Sequence, residues 1–334
     1  MKRVLKPIFY NLYQIINFFL KRDKAIGYIF MLHRVAQINK NGLKPNEYMK
    51  VDPVSLDFLI SKLKAKHKFD FIRMEDVPNR IKTGTNTPFV VFTMDDGYRD
   101  NYTQALPIFK KHNVPFTIFV TTNFPDNKAI LWWYALEDLL LQNTVITLSN
   151  GKTYCAKERK DKELSFIKIR SEILELDQEK LLDGLNDLFK GYNIDWLSYT
   201  RAHSMNWEDI CILKNEPLVT IGAHTKNHYN LKKLSNTESV VQEIKDGSSR
   251  MLEMTGVKSD IFAYPFGSEN EAGQREFDAV SSMSKDFRCA VRSVGGPVTM
   301  QNCLNYSLPR IMITPDFRLS DLAAYKEVYT GIMF

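Results

Sequence analysis

Residues 88–98 read PFVVFTMDDGY, and the fold turns on this stretch. Its first half is a short apolar run, which reads as a buried strand. The run ends on two adjacent carboxylates, Asp95 and Asp96, followed by Gly97. Adjacent carboxylates repel each other and gain nothing from the end of a buried strand. One reading is a solvated turn. The other is a site in which the two acids have different tasks.

Working outward, Tyr102, Leu106 and Phe109 mark a helix, and PFTIFVTT at 115–122 marks the next strand. Strand, helix and strand form a β-α-β unit, and such units build parallel sheets. IGYIFML (26–32), LVTIGA (218–223), IFAY (261–264) and CAVRS (289–293) supply further strands. Before the Asp pair, Asp52 and Pro53 suit the cap and first turn of a helix whose apolar stripe is Leu56, Leu59, Ile60 and Leu63. Ser235 and Glu238 have capping-box spacing ahead of another helix. Each polar cluster follows a strand, and α/β folds gather their sites at the carboxyl ends of strands. From LWWYALEDLLLQ at 131 onward the chain reads as helical and charge-rich. With no linker or repeat to divide it, the expectation is a single α/β domain over 25–334 with a helical insertion at about 130–210.

The 334 residues are 44% hydrophobic and 25% charged, which supports a sizeable core and excludes global disorder. The net charge of +6 would suit an acidic polymer, an anionic membrane surface or a sugar-phosphate lipid. No Lys/Arg cluster is interleaved with aromatics, so nucleic acid is not an expected partner. Cys155, Cys211, Cys289 and Cys303 contain no C-x-x-C pair and read as free thiols of a reducing compartment. Residues 1–24 carry Lys and Arg at both ends, with Ile8, Leu12, Ile15, Ile16 and Phe19 at helical spacing. Asn11, Gln14 and Asn17 interrupt the apolar run and no small-residue cleavage site follows, which argues against a signal peptide. An amphipathic helix is expected, packed either on the protein itself or on a membrane surface. The expected location is the cytoplasm or the inner face of the membrane.

GAHTKNH at 222–228 holds His224 and His228, four residues apart. On a helical turn both imidazoles share a face and reach one point. Two histidines and a carboxylate form a common zinc ligand set, with Asp95 or Asp96 as the third ligand. The alternative is two solvated histidines. A metal answers the question of the Asp pair. It acidifies a water held on it, yet that water must still lose a proton. One carboxylate would bind the metal and the other would take the proton, with strand alternation separating them. The backbone N–H of Tyr98 would face the oxyanion.

FTMDDGY, GAHTKNH and FAYPFG, in this order and each after a strand, resemble the polysaccharide deacetylases with a NodB-homology domain, carbohydrate esterase family 4. The likeness runs from about Tyr28 to about Ile313, apart from the insertion. It implies a deformed (β/α) barrel and removal of acetyl groups from sugar polymers with a divalent metal, usually Zn2+. By the resemblance, Asp95 is the catalytic base, and Asp96, His224 and His228 are the metal ligands. Pro265, Phe266 and Gly267 would shape a groove wall.

Two positions depart from the family pattern. Ala263 stands where the third motif usually carries an Arg that orients the base. The late L-x-H motif that supplies the acid is replaced by LPRIMI, Leu308 to Ile313. Both departures resemble the branch acting on poly-N-acetylglucosamine, in which an early YHR-like segment supplies the acid; here MLHRV offers His33. Arg310 is read either as the substitute for the missing Arg or as a structural ion pair. His67, His112 and His203 read as surface or capping groups. Trp132, Trp133 and Tyr134 read as sugar-stacking or as packing residues.

The expected function is therefore hydrolysis of N-acetyl groups on a cell-surface glycan or its lipid-linked precursor. A metal-dependent glycosyltransferase and a degenerate carbohydrate-binding domain are the competing readings. The first leaves the two histidines without a task. The second conflicts with the intact Asp and His pairs.

Overall fold

The computed structural model describes residues 25–66, 68–84 and 86–324. The expected amphipathic helix at 1–24 and His67 lie outside the described residues. Seven parallel strands close into a barrel in chain order. They are β1 (Gly27–Leu32), β2 (Phe89–Met94), β3 (Phe116–Val120), β4 (Val219–Ala223), β5 (Ile261–Ala263), β6 (Cys289–Gly295) and β7 (Leu308–Met312). β1 pairs with both β2 and β7, and this closes the ring. A further short strand, Asp70–Phe71, pairs with the first residues of β2.

Alternation along each strand divides the core. Ile29, Phe89, Val91, Phe119, Ala263, Val291 and Leu308 form one buried cluster, which fills the barrel. Phe30, Leu32, Val90, Phe92 and Met94 belong to another, under the helices. Helix α1 (Pro53–Ala65) covers them with Leu56, Leu59, Ile60 and Leu63, and Asp52 caps it by accepting from the Val54 N–H at 2.9 Å. Helix α2 (Leu106–His112) adds Phe109, stacked on Phe116 at 4.3 Å between ring centroids.

β7, which contains Pro309, is absent from the strands read in the sequence. Proline cannot donate to a ladder and argues against a central strand. The structure accommodates it with an irregularity: Val291 pairs with Leu308 but Gly295 pairs with Arg310, so β6 carries extra residues opposite the proline.

Between β3 and β4 the chain is not purely helical, as the sequence suggested. Helices α3 (Trp132–Gln142) and α4 (Arg159–Leu174) flank an antiparallel hairpin, Val145–Thr147 with Thr153–Cys155. Leu136, Leu140, Ile146, Phe166, Ile169 and Ile173 give this segment its own buried cluster. Helix α5 (Thr237–Thr255) follows β4, and its cap is Asn236, which accepts from Ser239 N–H at 2.8 Å, rather than Ser235. Among the described residues no helix is long and apolar enough to cross a membrane.

Gly222 of β4 pairs with Phe119 of β3, and a Cβ at 222 would sit 2.3 Å from the Phe119 ring. Phe119 is fully buried and lies under the Arg310 guanidinium, so it has little room to move. Gly222→Ala is expected to destabilise the protein by about 1–3 kcal/mol through overpacking, read by urea unfolding. Wild-type stability would show that the ring can yield.

Candidate active site

The inward row Phe89, Val91, Thr93 continues to Asp95 at the mouth of the barrel. Asp96 and Gly97 then take left-handed φ values of 73° and 86°. The two carboxylates diverge through this turn, not through continued strand alternation as the sequence suggested. Four of the six non-glycine residues with positive φ among the described residues are Asp96, Thr225, His228 and Phe266. All follow barrel strands at this end, and such strain persists only where surrounding contacts over-determine it.

His224 and His228 sit on an irregular loop after β4, and not on a helical turn. Left-handed residues at Thr225 and His228 fold the loop back, so both rings still converge, with centroids 5.0 Å apart. The loop is clamped on two sides. Thr121 donates to the His224 carbonyl at 2.7 Å. Glu243 of α5 accepts from the Lys226 and Asn227 N–H groups at 3.1 and 2.5 Å and from the Asn227 side chain at 2.8 Å. Burial pushes the Glu243 carboxyl up to about 7, against the pull of those donors. Gly247 lets the helix approach: a Cβ there would lie 2.5 Å from the Thr225 carbonyl carbon. The sequence reading missed Glu243 and Gly247, because their partners are 16 or more residues away.

His224 Nδ1 donates to the Ala263 carbonyl at 2.8 Å, which leaves Nε2 as a lone pair. That Nε2 and His228 Nε2 lie 3.4 and 3.1 Å from Asp96 Oδ1. Asp96 Oδ1 is buried and has no hydrogen-bond partner. Burial alone would raise the Asp96 carboxyl, but the histidines hold it well below the usual range. Burial lowers His228 against the opposing pull of Asp96. The three ligand atoms lie within 4.8 Å of one another. A buried carboxylate oxygen lacking a donor, facing two imidazole nitrogens, fits a divalent cation.

Asp95 has a different partner. Arg310 reaches across from β7 and donates Nη1 and Nη2 to the two Asp95 oxygens at 2.7 and 2.6 Å. Nη1 also reaches Thr93 Oγ1 at 3.0 Å, and Nε donates to the Arg292 carbonyl at 2.7 Å. Both side chains are buried. Burial would raise the Asp95 carboxyl, and the Arg310 charge and paired hydrogen bonds bring it below its ordinary value.

His33 stands beyond β1 with its Nδ1 buried and unpartnered. Burial lowers its imidazole, while the Asp96 and Asp95 charges pull upward. Burial is the larger effect, so the imidazole lies below its ordinary value. Tyr98 is buried, and its hydroxyl accepts from Trp133 Nε1 at 3.0 Å. Phe266 and Trp133 are half-buried, and their ring centroids lie 4.7 and 5.7 Å from that of His228. Pro265 is buried. Trp132 and Tyr134 are packing residues. His112 pairs with Asp57 at 2.7 Å. His203 packs on Tyr134, and burial lowers it to about 4.

The family model for polysaccharide deacetylases matches residues 82–150 and 183–278, which include Asp95, Asp96, His224, His228, Pro265 and Phe266. The chain belongs to the polysaccharide deacetylase family. This deacetylase has the NodB-type barrel, and as an enzyme it is a hydrolase acting on acetylated carbohydrate. Streptococcus pyogenes deacetylase PplD shares the fold at 17% identity and a TM-score of 0.58, over 90% of this chain and 98% of that one. IcaB from Ammonifex degensii does so at 15% and 0.55, over 88% and 94%. A de-N-acetylase from Aggregatibacter actinomycetemcomitans does so at 15% and 0.55, over 90% and 99%. No curated protein matches the chain.

Arg310→Met leaves Asp95 buried without a counter-charge, and such a change is expected to cost about 3–5 kcal/mol at pH 7. Because Asp95 is depressed in the folded state, the pair's contribution is present above the unfolded carboxylate value of about 3.9 and is lost as pH falls through the folded one. The difference between variant and wild type should therefore shrink at pH 3. Urea unfolding at the two pH values checks this, and an equal difference at both would remove Asp95 as the origin.

Proposed function

We propose that the enzyme is a metal-dependent sugar N-deacetylase in which Asp96, His224 and His228 hold the ion and Asp95 is the base. The observation that carries this reading is the bare Asp96 oxygen between two imidazole nitrogens. When bound, a divalent metal, Zn2+ by ligand type, supplies Lewis acidity at this point. Asp95 is ionised by its Arg310 partner. A carboxylate has about four acceptor sites and Arg310 fills two of them, which leaves room for the proton of an attacking water. Arg310 fixes the orientation of that carboxylate, the task a third-motif Arg would have had. The Tyr98 N–H is the proposed oxyanion donor.

Expelling an amine requires a proton on the nitrogen. His33 is the proposed donor, with its unpartnered Nδ1 at the strand-end face. Burial lowers its imidazole against the pull of the Asp96 and Asp95 charges, so the proton it delivers is one it takes up during the cycle. Phe266 and Trp133 give apolar walls beside His228 for a sugar ring and its acetyl methyl. The substrate class is an N-acetylated glycan of a cell-surface pathway or its lipid-linked precursor, as in the poly-N-acetylglucosamine branch. The description of the Aggregatibacter protein as a de-N-acetylase favours nitrogen over oxygen esters. Membrane-surface contact through Leu5 to Leu20 rests on the sequence pattern alone.

His228→Ala should lose bound metal and activity with the fold retained, read by elemental analysis and acetate release. Asp95→Asn should keep metal and lose most turnover, since an amide cannot take the proton. Equal metal loss in Asp95→Asn and Asp96→Asn would merge the two roles. His33→Ala should keep metal and lose about a hundredfold or more in turnover. Near wild-type turnover would assign the proton to another donor.

A further inference from the structure

α4 buries Phe166, Ile169 and Ile173 on one face, and Arg170 occupies the same stripe. Its side chain is 19% exposed. Among the described residues, its one carboxylate neighbour within ion-pair range is Glu271, with N···O at 3.8 Å, beyond hydrogen-bond length. Glu271 meanwhile accepts from the Ser268 hydroxyl. Burial lowers Arg170, and Glu271 offsets this only in part. A guanidinium has five N–H donors in a planar fork, and a stripe position with so little pairing is an expensive place to keep one.

Arg170 is next to the chemistry. Its Cζ lies 5.8 Å from the Phe266 ring centroid, and that ring packs on His228 at 4.7 Å. It also lies between residues 150 and 183, which the family model leaves unmatched. The same segment sends Gln178 Oε1 to the Asn230 N–H at 3.1 Å, so it is seated on the loop that follows the histidines.

We propose that Arg170 forms an anion-recognising subsite beside Phe266, so that the preferred substrate carries a carboxylate or phosphate on the sugar next to the acetylated one. The fork of Arg matches either group bidentately, and Phe266 offers the adjoining ring a stacking face. The subsite rests on the deacetylase reading and adds the charge class of its substrate.

The test uses the full chain loaded with zinc and N-acetylglucosamine oligosaccharides of equal length. One is neutral, one alternates with uronic acid, and one bears phosphate. Acetate release and equilibrium binding are measured for the wild type, Arg170→Met and Arg170→Lys. The wild type should favour one anionic arm over the neutral one by about tenfold or more in kcat/KM. Arg170→Met should bring that arm down to the neutral level through KM with kcat kept, and Arg170→Lys should recover part of the preference. The favoured arm distinguishes carboxylate from phosphate. An anionic-to-neutral ratio that is the same in wild type and Arg170→Met, with Arg170→Lys equal to both, overturns the subsite. If no arm releases acetate, the deacetylase reading fails, and binding decides the subsite alone. Tighter anionic binding lost in Arg170→Met supports it, and equal binding overturns it.

Discussion

The paired hydrogen bonds between Arg310 and Asp95 are the constraint on which the rest depends. Two charges removed from water cost several kcal/mol each, and only good geometry and further hydrogen bonds offset that. Arg310 meets the condition by reaching four acceptors: both Asp95 oxygens, Thr93 Oγ1 and the Arg292 carbonyl. Thr93 in turn donates to the Phe30 carbonyl at 2.8 Å. The contacts draw on β1, β2, β6 and β7, so the seam at which the barrel closes also fixes the Asp95 carboxylate, the proposed base. Phe119 lies beneath the guanidinium, its ring centroid 5.7 Å from Cζ.

The second structural demand is backbone strain at the strand ends. Left-handed non-glycine residues cost of order 1–3 kcal/mol each. Asp96, Thr225 and His228 adopt that conformation because only so do a strand end and a short loop bring three side chains to one point. The clamps are correspondingly dense: Thr121 on one side, Glu243 and Gly247 on the other. The Ala263 carbonyl sets the His224 tautomer, so β5 contributes to the site through its backbone. The segment between β3 and β4 supplies Trp133, and Trp133 links Tyr98 to the wall beside His228.

The sequence by itself determined six barrel strands, the helix at Pro53–Ala65 with its cap, and four residues of the candidate site, Asp95, Asp96, His224 and His228. These are set locally: apolar runs make strands, Asp52 and Pro53 start a helix, and acids or histidines placed after a strand lie at its carboxyl end. It could pose the question of Arg310 but not answer it. Tertiary structure decided that β7 exists despite Pro309, because the irregular register of β6 absorbs the missing donor. It decided that Arg310 faces inward to Asp95, a partner 215 residues away, and that His224 and His228 meet on a strained loop and not a helix. It also placed Glu243, Gly247 and Arg170 against segments distant in sequence. Such contacts depend on how strands close and helices pack, and no local pattern of residues specifies them.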